Sequence, residues 1–262
     1  MTPGKALITG AAQRLGKAMA LALAEDGWDI AIHFNGNSSK ADETADEIRA
    51  LGREAVSIQG DLDDADVTTG LVGRAAEELG GRLNVLINNA STFENDGIGK
   101  ITAASWDRAM GSNLRAPVTL LQSFAAQAPE PRLDGRGEPV AQAVCINMID
   151  QRVLKPTPEF MSYLLAKSAL HMFTRTAAQE LGARVRVAGI GPGPTIVAET
   201  QRDSHFAMQR AACALGRGSD PEDIVMAMRF ILACKAFTGQ MLAIDGGQHL
   251  AWQTPDVVGE PG

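Results

Sequence analysis

Seven short apolar runs, rich in Val, Ile, Leu and Ala, recur along the chain with segments of helical period between them. The runs are 5–9 (KALIT), 29–34 (DIAIHF), 55–59 (AVSIQ), 84–88 (NVLIN), 143–147 (AVCIN), 185–190 (VRVAGI) and 240–244 (QMLAI). Each is apolar nearly throughout instead of alternating, as strands covered on both faces must be. Helical patterns fill 15–25, 39–51, 65–79, 105–127, 158–181 and 221–233, the last opened by a cap residue and a proline in "SDPEDI". This alternation predicts an α/β fold, a doubly wound parallel sheet of about seven strands with helices on both faces, as a single domain over 1–262. Residues 128–139 (APEPRLDGRGEP) read as a surface loop, too short to link two domains. No repeat of solenoid period is present.

Composition removes several function classes. A formal net charge of -7 and a pI near 5.2 argue against nucleic acid as the main partner, because phosphate backbones need a basic face. Cys145, Cys213 and Cys234 are odd in number and far apart, which fits reduced thiols and no disulfide framework. The first ten residues run into a strand without a basic leader, and no apolar run approaches the roughly 20 residues that span a bilayer. The expectation is a cytoplasmic protein with no membrane partner. His33, His171, His205 and His249 show no metal-ligand spacing, so no metal is expected. The nucleophile elbow of serine hydrolases is missing.

In a doubly wound sheet, ligands bind beyond the carboxyl ends of the strands, so the loops there carry the candidates. "TGAAQRLG" follows the first strand and opens a helix, whose N–H groups suit a pyrophosphate. Gly10, Arg14 and Leu15 are its cofactor candidates. A tight strand-to-helix turn explains the small residues equally well. Arg14 either holds a phosphate, faces the substrate or is merely solvated. The end of the second strand, "HFNGNSSK", has His33 and Asn35 but no acid to bind a ribose 2′-hydroxyl. With Arg14 close by, NADP(H) is favoured over NAD. After the third strand, Asp61 and Leu62 are placed against an adenine, and Asp61 could equally be a helix cap.

Tyr163 is the one tyrosine of 262 residues, and Lys167 stands four places on, one helical turn away on the same face. A free phenol titrates near 10 and exchanges protons slowly at neutral pH, whereas an adjacent ammonium favours the phenolate. That pairing poises a hydroxyl to exchange a proton as a hydride moves. An aromatic core residue beside a solvated lysine is the plainer alternative.

Taken in order, "TGAAQRLG", "NNAS" (88–91), Asn113 in "GSN", "YLLAK", "GPG" (191–193) and "TGQMLAIDGG" (238–247) resemble the short-chain dehydrogenase/reductase family over nearly the whole chain. The resemblance implies a Rossmann fold with Tyr163 as proton donor and Lys167 gripping the nicotinamide ribose while tuning the phenol. It implies a water held by Asn113 and leading to Lys167. Asn89 and Ala90 would lie along the cofactor, and Pro192 and Gly193 near the nicotinamide. Members usually carry a serine thirteen residues before the tyrosine; here that position is Asp150. A carboxylate would repel the charge that grows on a ketone oxygen unless it were protonated, whereas a C=N substrate gains a proton and offers donors. Asp150 therefore points to a nitrogen heterocycle.

Arg14, the pattern "NNAS-x-F" and Asp150 together resemble the pteridine reductase subgroup. In that resemblance Phe93 stacks on a pterin, Ser91 and Arg14 bind the pterin and cofactor phosphates, and Asp150 and Tyr163 relay protons. A basic residue usual in the subgroup after strand two is replaced by Gly36 and Asn37. Residues 194–216 are expected to form a substrate lid, with His205 and Arg202 as possible contacts or plain surface residues. The tail 251–262 includes Trp252. The family resemblance further implies a homotetramer. The leading expectation is an NADPH-dependent reductase of a pterin or similar nitrogen heterocycle. A carbonyl or 3-oxoacyl-thioester reductase and a non-catalytic NADP(H)-binding sensor are the rivals.

Overall fold

The computed structural model describes residues 1–197 and 201–252. Parts of the expected lid (198–200) and most of the expected tail (253–262) lie outside the described residues. Strands β1 (Lys5–Ile8), β2 (Asp29–Phe34), β3 (Ala55–Gln59) and β4 (Val85–Asn88) are followed by a small hairpin of β5 (Arg132–Leu133) and β6 (Pro139–Val140). Then come β7 (Val144–Met148), β8 (Arg186–Pro192) and β9 (Met241–Ile244). The seven long strands form one sheet in the order β3-β2-β1-β4-β7-β8-β9. Every neighbouring pair is parallel.

Eight α-helices cover the sheet among the described residues: α1 (Arg14–Glu25), α2 (Ser38–Ala50), α3 (Ala65–Glu78), α4 (Ala103–Met110), α5 (Ala116–Gln127), α6 (Met161–Leu181), α7 (Asp203–Ala211) and α8 (Pro221–Ala233). Successive strand residues face opposite sides, so the apolar runs feed two cores at once. Ile8, Ile32, Ile87 and Ile146 pack under Met19 and Leu23 of α1, Ile48 of α2 and Met228 of α8. Leu7, Leu86, Cys145 and Val187 pack under Leu71 of α3, Phe124 of α5 and Ala177 of α6. Burial of Cys145 raises its thiol well above the ordinary range, so it acts as a packing residue.

Three expectations need correction. The continuous helix over 105–127 is two helices joined by a π-turn at Gly111–Arg115. Its start moves to residue 103 because Thr102 and Ser105 close a capping box. The helix expected from 158 begins at Met161: Pro156 and Pro158 precede it, and Phe160 takes the left-handed region at φ 56°. The loop over 128–139 contains the β5–β6 hairpin, turned by the Asp134 carboxylate accepting from the N–H groups of Arg136 and Glu138.

Strand order reverses between β1 and β4, and a crevice opens there beyond the strand ends.

Candidate active site

A cavity of about 1100 Å³ occupies that crevice. Of the site residues picked from sequence, Gly10, Arg14, Leu15, His33, Asn35, Asp61, Leu62, Asn89, Ala90, Ser91, Phe93, Asp150, Tyr163, Pro192 and Gly193 line it. Lys167 and Asn113 stand behind its wall, buried.

The glycine loop is held from below. Gly10 adopts φ 62°, and its N–H donates to His33 Nδ1 at 3.2 Å. His33 Nε2 therefore carries the proton and donates to the Gly60 carbonyl at 3.0 Å. Burial brings this imidazole down to about 4, so it is a neutral brace under the loop. A Cβ on Gly16 would collide with the Gly10 carbonyl oxygen and the Asn89 amide, so α1 packs against the loop only as glycine. Asn89 Nδ2 donates to the Thr9 and Gly10 carbonyls at 2.9 and 3.1 Å. Thr9 Oγ1 accepts from the N–H groups of Asn89 and Ala90. These bonds weld the ends of β1 and β4 into one floor.

Such a floor fits a dinucleotide. The loop residues Gly10, Ala11 and Ala12 are small, the first turn of α1 has no acid, and no carboxylate ends β2. Lys40 Nζ reaches this rim, donating to Gln13 Oε1 at 2.7 Å. Arg14 lines the cavity, and at φ 56° its Nη2 donates to the carbonyls of Ile196 and Val197, tying the glycine loop to the segment after β8. Asp61 stays on the cavity wall, accepting from the N–H of Asp63, while the cap of α3 is Asp64. Gly193 is compelled, because a Cβ there would strike the Asp245 backbone.

At the other end of the cavity, the Tyr163 hydroxyl donates to Asp150 Oδ2 at 2.8 Å. Asp150 Oδ1 accepts the N–H of Arg152 at 2.8 Å. Burial raises the Asp150 carboxyl above the ordinary range, against the lowering effect of these bonds. Burial, and then Asp150, push the Tyr163 phenol well above 10. The expectation that Lys167 favours the phenolate is corrected here. Its Nζ donates to the Met148 carbonyl at 2.8 Å and lies 5.6 Å from the ring centroid, and burial lowers it to about 8. Burial thus favours the protonated phenol.

Asn113 is set inward by the π-turn. Its Oδ1 accepts from Ser91 Oγ at 2.6 Å, and its Nδ2 donates to the carbonyls of Thr92 and Ala109, both at 3.0 Å. It thus holds the loop after β4 and makes no direct bond to Lys167 among the described residues; Ser91 is engaged by the same contact. Phe93 lines the cavity and is partly exposed. It stacks on Phe160 with centroids 4.1 Å apart and planes at 9°, and meets Tyr163 edge-on at 4.7 Å. Phe160 and Arg152, both lining the cavity, were not found from sequence. Their positions, three before the tyrosine and two after the aspartate, are the signal that was available. His205 of α7 lines the cavity; Arg202 does not.

Among the described residues, no cluster of His, Cys, Asp or Glu has the geometry to hold a metal, and no helix is long and apolar enough to cross a membrane.

Fold and cavity together define an oxidoreductase built around a dinucleotide. The chain belongs to the short-chain dehydrogenase family, whose model matches residues 4–207. A solved structure, FolM alternative dihydrofolate reductase 1 from Brucella suis in complex with NADP, superposes with a TM-score of 0.90 at 39% identity, covering 98% of this chain and 99% of that one. Pteridine reductase 1 of Leishmania tarentolae is 30% identical, covering 94% of this chain and 96% of its own length. The 3-oxoacyl-[acyl-carrier-protein] reductase FabG of Staphylococcus aureus is 26% identical over 94% and 98%.

Proposed function

We propose that this short-chain reductase uses NADP(H) to reduce a pterin or similar nitrogen heterocycle. The observation that carries the reading is the 2.8 Å bond between the Tyr163 hydroxyl and Asp150, in the cavity, where a serine would suit a ketone. When bound, the reduced nicotinamide supplies a hydride to a ring carbon. The chain supplies the proton for the neighbouring ring nitrogen. Tyr163, with its phenol raised by burial and by Asp150, holds that proton at neutral pH. Asp150 orients the phenol and accepts from the donors along an amidine-like ring edge. The bare floor at Gly10 and Gly193 lets backbone approach the cofactor, and Lys167 stands one turn from Tyr163 to reach its ribose. The NADP-bound Brucella neighbour and the pteridine reductase relative support this reading. The homotetramer rests on the family resemblance alone, and a cytoplasmic location on the cysteine usage and apolar patterning of the sequence.

A carbonyl or 3-oxoacyl-thioester reductase is the second reading. It is favoured by the raised Asp150, because a protonated carboxyl can donate to an oxyanion, and by the FabG relative. One experiment separates the two: NADPH oxidation with a 7,8-dihydropterin beside a β-ketoacyl thioester. The proposal expects pterin turnover, falling about 10²- to 10⁴-fold in both Tyr163→Phe and Asp150→Ala. Turnover of the thioester alone, improved by Asp150→Ser, would sink it.

A further inference from the structure

Gly36 and Asn37 stand after β2 where the resemblance implies a basic residue. No acid replaces it, so the strand end alone recognises neither a ribose 2′-hydroxyl nor a 2′-phosphate. Crowding is not the reason for the gap. A Cβ on Gly36 would meet nothing within 4 Å, so the space beside the strand end is open.

A positive charge stands a few residues further on, in the first turn of α2. Asn37 caps that helix by accepting the Lys40 N–H at 3.2 Å. Thr44, four residues later and so on the same face, donates through Oγ1 to the Ala12 carbonyl at 3.2 Å. That buried bond fixes the face of α2 that carries Lys40 against the glycine loop. Lys40 Nζ is thereby brought to Gln13, a residue of the cavity wall, and donates to its Oε1 at 2.7 Å. A neutral amide takes one of the three ammonium donors and none of the charge. The two cations at the start of α1 are engaged elsewhere: Lys17 pairs with Glu47 at 2.7 Å, and Arg14 donates to the Ile196 and Val197 carbonyls. Lys40 forms no ion pair within 4.0 Å among the described residues, although α2 also carries Asp42, Glu43, Asp46 and Glu47.

We infer that Lys40 is the specificity-determining residue for the phosphorylated cofactor: its ammonium receives the 2′-phosphate of the adenosine ribose, and α2 supplies the charge that the loop after β2 lacks. A compact ammonium steadied by Gln13 suits a phosphate as a point charge. The inference rests on NADP(H) as the cofactor and holds whichever substrate is reduced. Its test is binding to the full-length protein, followed by the change in nicotinamide fluorescence, with NADPH and NADH against wild type, Lys40→Met and Lys40→Arg. In Lys40→Met the Kd for NADPH rises about 5- to 50-fold while that for NADH is unchanged, and Lys40→Arg keeps most of the preference. Displacement of NADPH by 2′,5′-ADP and by 5′-AMP places the loss at the adenosine end: the advantage of 2′,5′-ADP shrinks in Lys40→Met by the same factor. Equal weakening of NADPH and NADH would make Lys40 only a tie between α2 and the glycine loop. No change in either would return the phosphate to Arg14. Each of these overturns the inference, as does a wild type that binds NADH as tightly as NADPH. The pterin reading stands or falls separately, on turnover.

Discussion

Lys167 stands behind the phenol that its spacing pairs it with, and its own titration is the more telling property. Buried and lowered from 10.5 to about 8, it is charged at neutral pH and loses its proton just above. The cationic grip on the cofactor's ribose proposed for Lys167 would then be present below pH 8 and fade above it. NADPH affinity, followed by the quenching of its fluorescence, is expected to hold steady to about pH 7 and weaken as pH rises through 8. Lys167→Met should be weaker throughout, with that inflection gone; an inflection that persists would assign it to another group. The sign for stability is opposite: between about 8 and 10.5 the unfolded lysine binds a proton that the folded one has released, so this group makes the fold more stable as pH rises. The lone tyrosine, its lysine and the aspartate thirteen residues before it were legible from spacing and resemblance. The direction of the phenol's shift was not, because a sequence shows which charges are near but not how dry their surroundings are. Nor did it show Phe160 on the face of Phe93, a contact between residues 67 positions apart.

At the scale of elements, the strands were the legible part: each of the seven falls within a residue or two of its expected bounds, because burial on both faces leaves a continuous apolar run. The break in 105–127 was hidden, since a π-turn inserts one residue without spoiling the apolar pattern on either side. Yet that extra residue aims Asn113 at Ser91 and Thr92. Asn113→Ala would strand the Thr92 and Ala109 carbonyls and release Ser91. It is expected to destabilise the fold by about 1–3 kcal/mol in a urea titration and to weaken cofactor binding. Thr102→Ala removes only the cap of α4, at about 1 kcal/mol, and should leave the kinetics alone. Equal kinetic damage from both would mean that the turn has no special part in shaping the site.

Across the molecule, one sheet supports both cores, so the halves are expected to unfold together. Ile146 is fully buried in the central β7. Ile146→Ala should lower Tm by roughly 5–15 °C, in a single transition seen alike by far-UV dichroism and by tryptophan fluorescence. Two separated transitions would divide the chain into two domains, against the single unit read from its strand–helix alternation. The same strand order bears on how the protein is made. β1 ends at Ile8, and its partner on one side, β4, begins at Val85. During synthesis β1 can pair with β2, but its other edge stays open until β4 leaves the ribosome, roughly 4–15 s later at ordinary elongation rates. For that interval the nascent chain presents an apolar strand edge with unpaired amides, the kind of segment on which trigger-type chaperones act and aggregates start. The dinucleotide floor at Gly10 and Ala90, which needs both strands, comes into being only when that edge closes.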